Sequence, residues 1–192
     1  MTKTIATYWN FLWAALQNHV QTGSPCPSQR FLVAKMISTV PTDYRGRILE
    51  LGPGTGVLTT KLANRCPGAR ILACEINPMF ARKCRQEFAA KGLSDRIKVV
   101  CKSAEHLLDQ MAGSGDEKPD FIISGIPLGN LERRHVADLV ERIHRCLAVG
   151  GLYIQFQYTL IDRETIRARF PKLRTAPAFL NFPPAFVYYA QK

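Results

Sequence analysis

Three groups of residues in this chain have the types and spacing to do chemistry. The first is Glu50-Leu51-Gly52-Pro53-Gly54-Thr55-Gly56. Glycines at alternate positions let a backbone turn sharply and approach a ligand closely. A helix starting directly after them offers unpaired N–H groups and the positive end of its dipole. Glu50 would repel a pyrophosphate, and G-x-G-x-G is not the G-x-G-x-x-G spacing of dinucleotide binders, so a cationic or zwitterionic ligand fits better. The second group is Glu75, roughly 20 residues beyond the first glycine, the offset at which a carboxylate accepts from the 2′ and 3′ hydroxyls of a ribose. The third is Ser124-Gly125-Ile126-Pro127-Leu128, a turn whose backbone carbonyls can orient a small amine. Each has a plainer alternative: a glycine turn that only tightens the fold, an acid that only complements the next helix, and a turn that only ends a strand.

Strands must hold these groups in place. Ile48 to Leu51 is a short apolar run, and a helical pattern follows from Val57 to Arg65. Ala69 to Glu75 is a second buried strand; Asn77-Pro78 then caps a helix reaching Lys91, with proline in its first turn. Ile97 to Cys101 is a third strand, leading to Ser103-Ala104-Glu105, and Phe121 to Ser124 is a fourth. A charged helix from Leu131 to Leu147 and the Gly150-Gly151 break precede a fifth strand, Leu152 to Tyr158. There Gln155 and Gln157 share one face, with Tyr158 at the carboxyl end. Alternating strands and helices of this kind predict a doubly wound α/β sheet, which binds ligands outside the carboxyl ends of its strands. Between Asp162 and Arg174 a short helix and its tail carry Arg163, Arg167, Arg169, Lys172 and Arg174. Such residues usually solvate a helix, but they can also meet a phosphate.

At 192 residues the chain is long enough for one domain with a real core. The net charge of +11 points to an anionic partner, either nucleic acid or an anionic membrane surface. Six scattered cysteines without a C-x-x-C pair read as reduced residues of a cytoplasmic protein, with no metal site expected. Near the amino terminus Ile5, Tyr8, Trp9, Leu12, Leu16 and Val20 recur at helical spacing, with Trp13 beside the stripe. The stretch is too short and too interrupted to span a bilayer, but its indoles suit the membrane interface. Residues 1–22 are therefore expected to form an amphipathic helix that lies on the membrane or lids the site, ahead of a domain over 23–192.

E-x-G-x-G-x-G at the end of the first strand closely resembles motif I of the class I S-adenosylmethionine (SAM) methyltransferases. The resemblance implies a single Rossmann-like seven-stranded sheet, SAM as cofactor and S-adenosylhomocysteine as product. It implies Glu50, Gly52, Pro53, Gly54, Thr55, Gly56, Glu75 and Ile76 around the cofactor, with Ser103 and Ala104 at the adenine, where an acid is more usual than Ser103. Ser124, Gly125, Ile126 and Pro127 then stand beside the methyl group, Ser124 also touching the cofactor. Enzymes that methylate base amines have N/D-P-P-Y/F at this corner, and this chain has neither the amide nor the stacking ring. A narrower resemblance, to bacterial phospholipid N-methyltransferases, rests on Gly23-Ser24-Pro25-Cys26-Pro27-Ser28-Gln29, on S-G-I-P-L at 124–128, on Q-F-Q-Y at 155–158 and on N-F-P-P-A at 181–185. The first of these blocks is more faintly similar to the glutamine-containing segment of ribosomal RNA adenine dimethylases. The phospholipid resemblance implies methylation of phosphatidylethanolamine towards phosphatidylcholine by a peripheral, monomeric membrane enzyme. The residues themselves then suggest that Tyr8, Trp9, Leu12 and Trp13 meet the bilayer, Tyr158 the head group and Arg174 the phosphate, while carbonyls around Gly125 and Ile126 aim the amine. An ornithine lipid is the near alternative; a ribosomal RNA adenine methyltransferase is opposed by the missing ring, and a catalytically idle SAM-binding membrane adaptor is a third reading.

Overall fold

The computed structural model describes residues 27–181 and 184–192. The helix expected over residues 4–20, with Tyr8, Trp9, Leu12 and Trp13, and the loop cysteine Cys26 lie outside the described residues.

Seven strands form one sheet: β1 (Arg47–Leu51), β2 (Arg70–Glu75), β3 (Ile97–Cys101), β4 (Phe121–Ser124), β5 (Leu152–Gln157), β6 (Lys172–Ala178) and β7 (Ala185–Gln191). Their order across the sheet is β3-β2-β1-β4-β5-β7-β6. The first five strands are mutually parallel, and β7 runs antiparallel to both β5 and β6. Chain direction across the sheet reverses at β1, whose neighbours are β2 on one side and β4 on the other. In doubly wound sheets the ligand crevice lies at such a switch, which here falls at the carboxyl ends of β1 and β4.

Among the described residues six α-helices cover the sheet: α1 (Pro27–Ile37), α2 (Val57–Arg65), α3 (Pro78–Ala90), α4 (Ala104–Gly113), α5 (Arg133–Cys146) and α6 (Arg163–Arg169). Strand residues alternate between two cores. Ile48, Ile71, Ile123 and Ile154 pack with Leu32, Met36, Leu62, Cys84 and Phe88 from α1, α2 and α3. Leu49, Leu51, Ile122 and Tyr153 pack with Leu108, Leu139, Val140, Ile143 and Ile166 from α4, α5 and α6. Because both faces are covered, the strands read as continuous apolar runs rather than alternating ones. Helix α5 shows the sequence logic most simply. Val136, Leu139, Val140 and Ile143 recur on one buried stripe, while Arg133, Arg134 and Asp138 face water.

Two elements go beyond the periodicity reading. After Ser103 the chain forms helix α4, an element the periodicity reading did not include. The basic stretch after α6 becomes edge strand β6, whose Arg174 pairs with Tyr189 of β7. Pro177 is tolerated there because an outer strand has one hydrogen-bonding edge free.

Phe88 is 1% exposed and packs between the first core and the start of α2. Phe88→Ala is expected to cost about 3–5 kcal/mol, whereas Val149→Ser at an exposed turn should stay within about 0.5 kcal/mol. Urea unfolding of both variants against the parent measures the difference.

Candidate functional site

The loop that follows β1 is tied from both sides. Gly52 donates its N–H to the Cys74 carbonyl (2.9 Å), and Gly125 donates to the Leu51 carbonyl (2.8 Å). The glycines at 52, 54 and 56 all have positive φ (73°, 57° and 78°). Gly56 is required twice over, since a Cβ there would also stand 3.0 Å from the Phe88 ring and 3.2 Å from Cys84 Sγ. Gly54 is different: a Cβ would meet nothing within 4 Å, so space lies open over the middle of the loop. Pro53 is buried and its carbonyl accepts from Gly56 N–H (2.9 Å), while the Gly56 carbonyl accepts from Thr60 and begins α2. Thr55 sits half-buried between them.

Two carboxylates lie against this loop. Glu75 ends β2 almost fully buried; its Oε2 accepts from Gly54 N–H (3.0 Å) and its Oε1 from Asn77 N–H (2.8 Å). Burial raises its pKa, and the backbone N–H groups of Asn77, Gly54 and Ile76 pull it back down. A carboxylate has about four acceptor sites, so the same group can lock the loop and still accept from a ribose hydroxyl. Glu50 is 2% exposed, and its Oε2 has no hydrogen-bond partner. Burial pushes its pKa from the usual 4.5 up to about 7; the Thr59 hydroxyl lowers it and the charge of Glu75 raises it. Cys84 donates its thiol to the Gly54 carbonyl (3.3 Å) from below and is pushed up to about 12 by burial and by the same two acids.

The fourth-strand corner is held from the neighbouring strand. The Ser124 hydroxyl is fully buried and accepts from Ile126 N–H (3.2 Å). The Ile126 carbonyl accepts from two amides, Gln155 Nε2 (2.9 Å) and Gln157 Nε2 (3.3 Å). Buried Tyr153 donates to Gln155 Oε1 (2.7 Å), which orients that amide. This corrects one expectation: with both its lone pairs engaged, the Ile126 carbonyl holds the turn and is not a free acceptor for an amine. The glutamines' shared face was legible in sequence, but not that both converge on one carbonyl. Gly125 is forced by a close approach, since a Cβ would lie 2.8 Å from the Gly52 carbonyl oxygen. A bulky residue at 125 therefore disturbs the glycine loop as well as the corner.

Other expected site residues fall in two groups. Tyr158 follows β5 at the carboxyl end of the sheet, 38% exposed and hydrogen-bonded to Asn181. Ile76, half exposed, directly follows Glu75. Ser103 accepts from His106 N–H (3.2 Å) as the N-cap of α4, which leaves its O–H free to donate, with Ala104 buried behind it. Arg174 is not brought to this corner. It lies on the outermost strand, its guanidinium 4.3 Å over the Tyr189 ring, lining a cavity of about 410 Å³ with Thr39, Leu152, Lys172 and Gln191. Those partners include the first residue of β5 and the last of β7, at the opposite end of the sheet from the glycine loop. Sequence reasoning also passed over Asp162, which is 6% exposed with an unpartnered Oδ2. Its pKa is raised by burial and lowered by Arg133. A lone acid after a strand carries no sequence signal of burial.

SAM fits the residues present. An unpaired buried Glu50 oxygen, a second acid beside it and open space over Gly54 suit a cationic amino-acid group. Glu75, with the apolar Ile76 next to it, suits a nucleoside. Among the described residues no cluster of His, Cys, Asp and Glu could hold a metal ion.

Residues 48–151 match the family model of the methyltransferase domain. The chain is 26% identical over 186 residues to the ornithine lipid N-methyltransferase of Singulisphaera acidiphila, spanning 96% of this chain and 95% of that protein. It is 30% identical over 135 residues to the chloroplastic ribosomal RNA small subunit methyltransferase of Arabidopsis thaliana, spanning 67% of this chain but 37% of that protein. The O-methyltransferase of Bacillus cereus in complex with SAH superposes with a TM-score of 0.66 at 19% identity, covering 100% of this chain and 92% of that one. Precorrin-6y C5,15-methyltransferase of Geobacter metallireducens gives 0.64 at 16% identity, with coverage of 84% and 88%. At these identities the structural likeness is one of fold.

Two outcomes test the site. Glu75→Ala should weaken SAM binding by about 1.5–3 kcal/mol, measured calorimetrically on folded protein, and unchanged affinity would remove Glu75 from the site. For Glu50, a raised folded-state pKa means that protonation stabilises the fold fully below 4.5 and that this stability is lost as the pH rises through about 7. Glu50→Gln should therefore be the more stable protein above that range, by up to about 3 kcal/mol, with the advantage gone in acid. Thermal melts across the pH series read it. Just below neutrality, SAM binding to the parent should release a proton that the Gln variant does not release.

Proposed function

The chain belongs to the methyltransferase-domain family, with SAM as its methyl donor, and on that premise we propose that it N-methylates the head-group amine of an amino lipid at a membrane surface. The observation that carries this reading is likeness over 96% of the chain to a lipid N-methyltransferase. The corner agrees with it. Ser124-Gly125-Ile126-Pro127-Leu128 offers no ring on which a base could stack, and the turn is braced by glutamines. That likeness favours an ornithine lipid as the first substrate to try. Phosphatidylethanolamine, favoured by the S-G-I-P-L and N-F-P-P-A blocks, is the second. Both head groups join a primary amine to an anion.

When bound, SAM supplies a methyl group activated on a sulfonium, open to in-line attack. The chain's own task is to deliver an amine with a free lone pair. Burial of the incoming ammonium against the braced corner desolvates it, which lowers its pKa and favours the neutral form. Ser124 and the two glutamines fix the turn against which the amine is aimed, so most of the rate comes from positioning. In this reading Tyr158, part-exposed after β5, contacts the head group. Residues 1–22 extend the reading as a membrane-interface helix, whose deletion should reduce vesicle binding.

Methyl-labelled SAM, given with vesicles containing ornithine lipid, vesicles containing phosphatidylethanolamine, or ribosomal RNA, tests the proposal. Label is expected in the lipid extract. Label in the RNA alone would favour the ribosomal RNA relative instead and overturn it. Because positioning dominates, Tyr158→Phe and Asp162→Asn should each lower turnover by less than roughly tenfold. A far larger loss in Asp162→Asn would show that a side-chain base is needed.

A further inference from the structure

Two loops leave the sheet side by side at the mouth of the site. Gln157, the last residue of β5, pairs with Phe186, and Ala178, the last residue of β6, pairs with Ala185, so both loops start at the same level. They are bound to the framework and to each other. Tyr188 donates its hydroxyl to the Thr159 carbonyl (3.0 Å), and Tyr158 is hydrogen-bonded to Asn181. Yet their tips turn large apolar side chains to water: Leu160 is 46% exposed, Ile161 63%, Phe179 73% and Leu180 65%. Single exposed hydrophobics are ordinary, and Val149 at the far end of the sheet is one, but four on adjoining loops form a patch. Cations border it. Arg163 follows the first loop at the start of α6, and Arg133 at the start of α5 is exposed and lies near Asp162.

We propose that these loops dock the protein on an anionic lipid bilayer, with Leu160, Ile161, Phe179 and Leu180 entering the interface and Arg133 and Arg163 meeting lipid anions. The proposal rests on the amino-lipid reading, because a lipid amine reaches the corner most directly if the mouth itself faces the membrane. Apolar tips flanked by arginines match the layering of an anionic bilayer, apolar within and negative at its surface. Tyr158 then lies at the level where phenols settle, one end dry and the other wet. The overall charge of +11 acts in the same direction.

The test uses the full chain with two double substitutions, Phe179→Ser with Leu180→Ser, and Leu160→Ser with Ile161→Ser. Flotation with vesicles of phosphatidylglycerol and phosphatidylcholine, which contain no substrate amine, should show binding reduced on the order of tenfold or more in each. Rates on an amino lipid dispersed in detergent should match the parent. If only one pair yields folded protein, that pair decides. Undiminished flotation overturns the proposal, and so does a change in the free protein's sedimentation mass without a change in flotation, which would mean that the loops pack on a second copy. If the parent floats through these loops but labels no lipid amine, the docking surface stands and the substrate reading falls.

Discussion

The backbones of two turns cross at Gly52 and Gly125, closer than any side chain at 125 would allow. Gly125 donates to the Leu51 carbonyl, and its α-carbon faces the Gly52 carbonyl oxygen, which a Cβ would meet at 2.8 Å. From the other side Gly52 donates to Cys74 of β2. Three strand ends are thereby drawn together at the point where strand order reverses. The glycine loop, the acid ending β2 and the turn after β4 are consequences of that closure. The turn after β4 cannot recoil from the loop, because Gln155 and Gln157 hold the Ile126 carbonyl from behind.

Electrostatics divides the molecule between a negative interior at the crevice and a positive exterior. Glu50 and Glu75 are both buried, and the charge of Glu75 adds to the cost of ionising Glu50, a penalty that a cationic ligand beside them would offset. Donors for Glu75 come from the backbone, whereas Glu50 leaves an oxygen unpaired. Glu50 is therefore the group whose protonation should respond to the cofactor. Outside, the excess of arginine and lysine favours anionic surfaces, and among the described residues no helix is long and apolar enough to cross a membrane.

Much of the fold was legible because its signals are local. Apolar runs ending in glycine or acid marked β1, β2 and β4, and the cap at Asn77-Pro78 is observed with the Asn77 side chain accepting from Met79 and Phe80. Edge strand β6 was not legible. Its residues, arginine and proline among them, carry no apolar alternation, and they form a strand only because β7 offers them an open edge.

The sequence by itself determined the glycine turn after β1 and the acid ending β2, since positive φ at alternate positions and a carboxylate at that offset are demands that only certain residues meet at certain spacings. Only the tertiary structure decided which acids are buried, which carbonyl is already engaged and where the arginines stand. Asp162 and Arg174 show why. Burial of the one, and the stacking of the other on Tyr189 away from the crevice, depend on neighbours brought from strands and helices distant in the chain. A side chain's desolvation and the direction of its partners are set by packing, which has no counterpart in the residue's own letter or in those beside it.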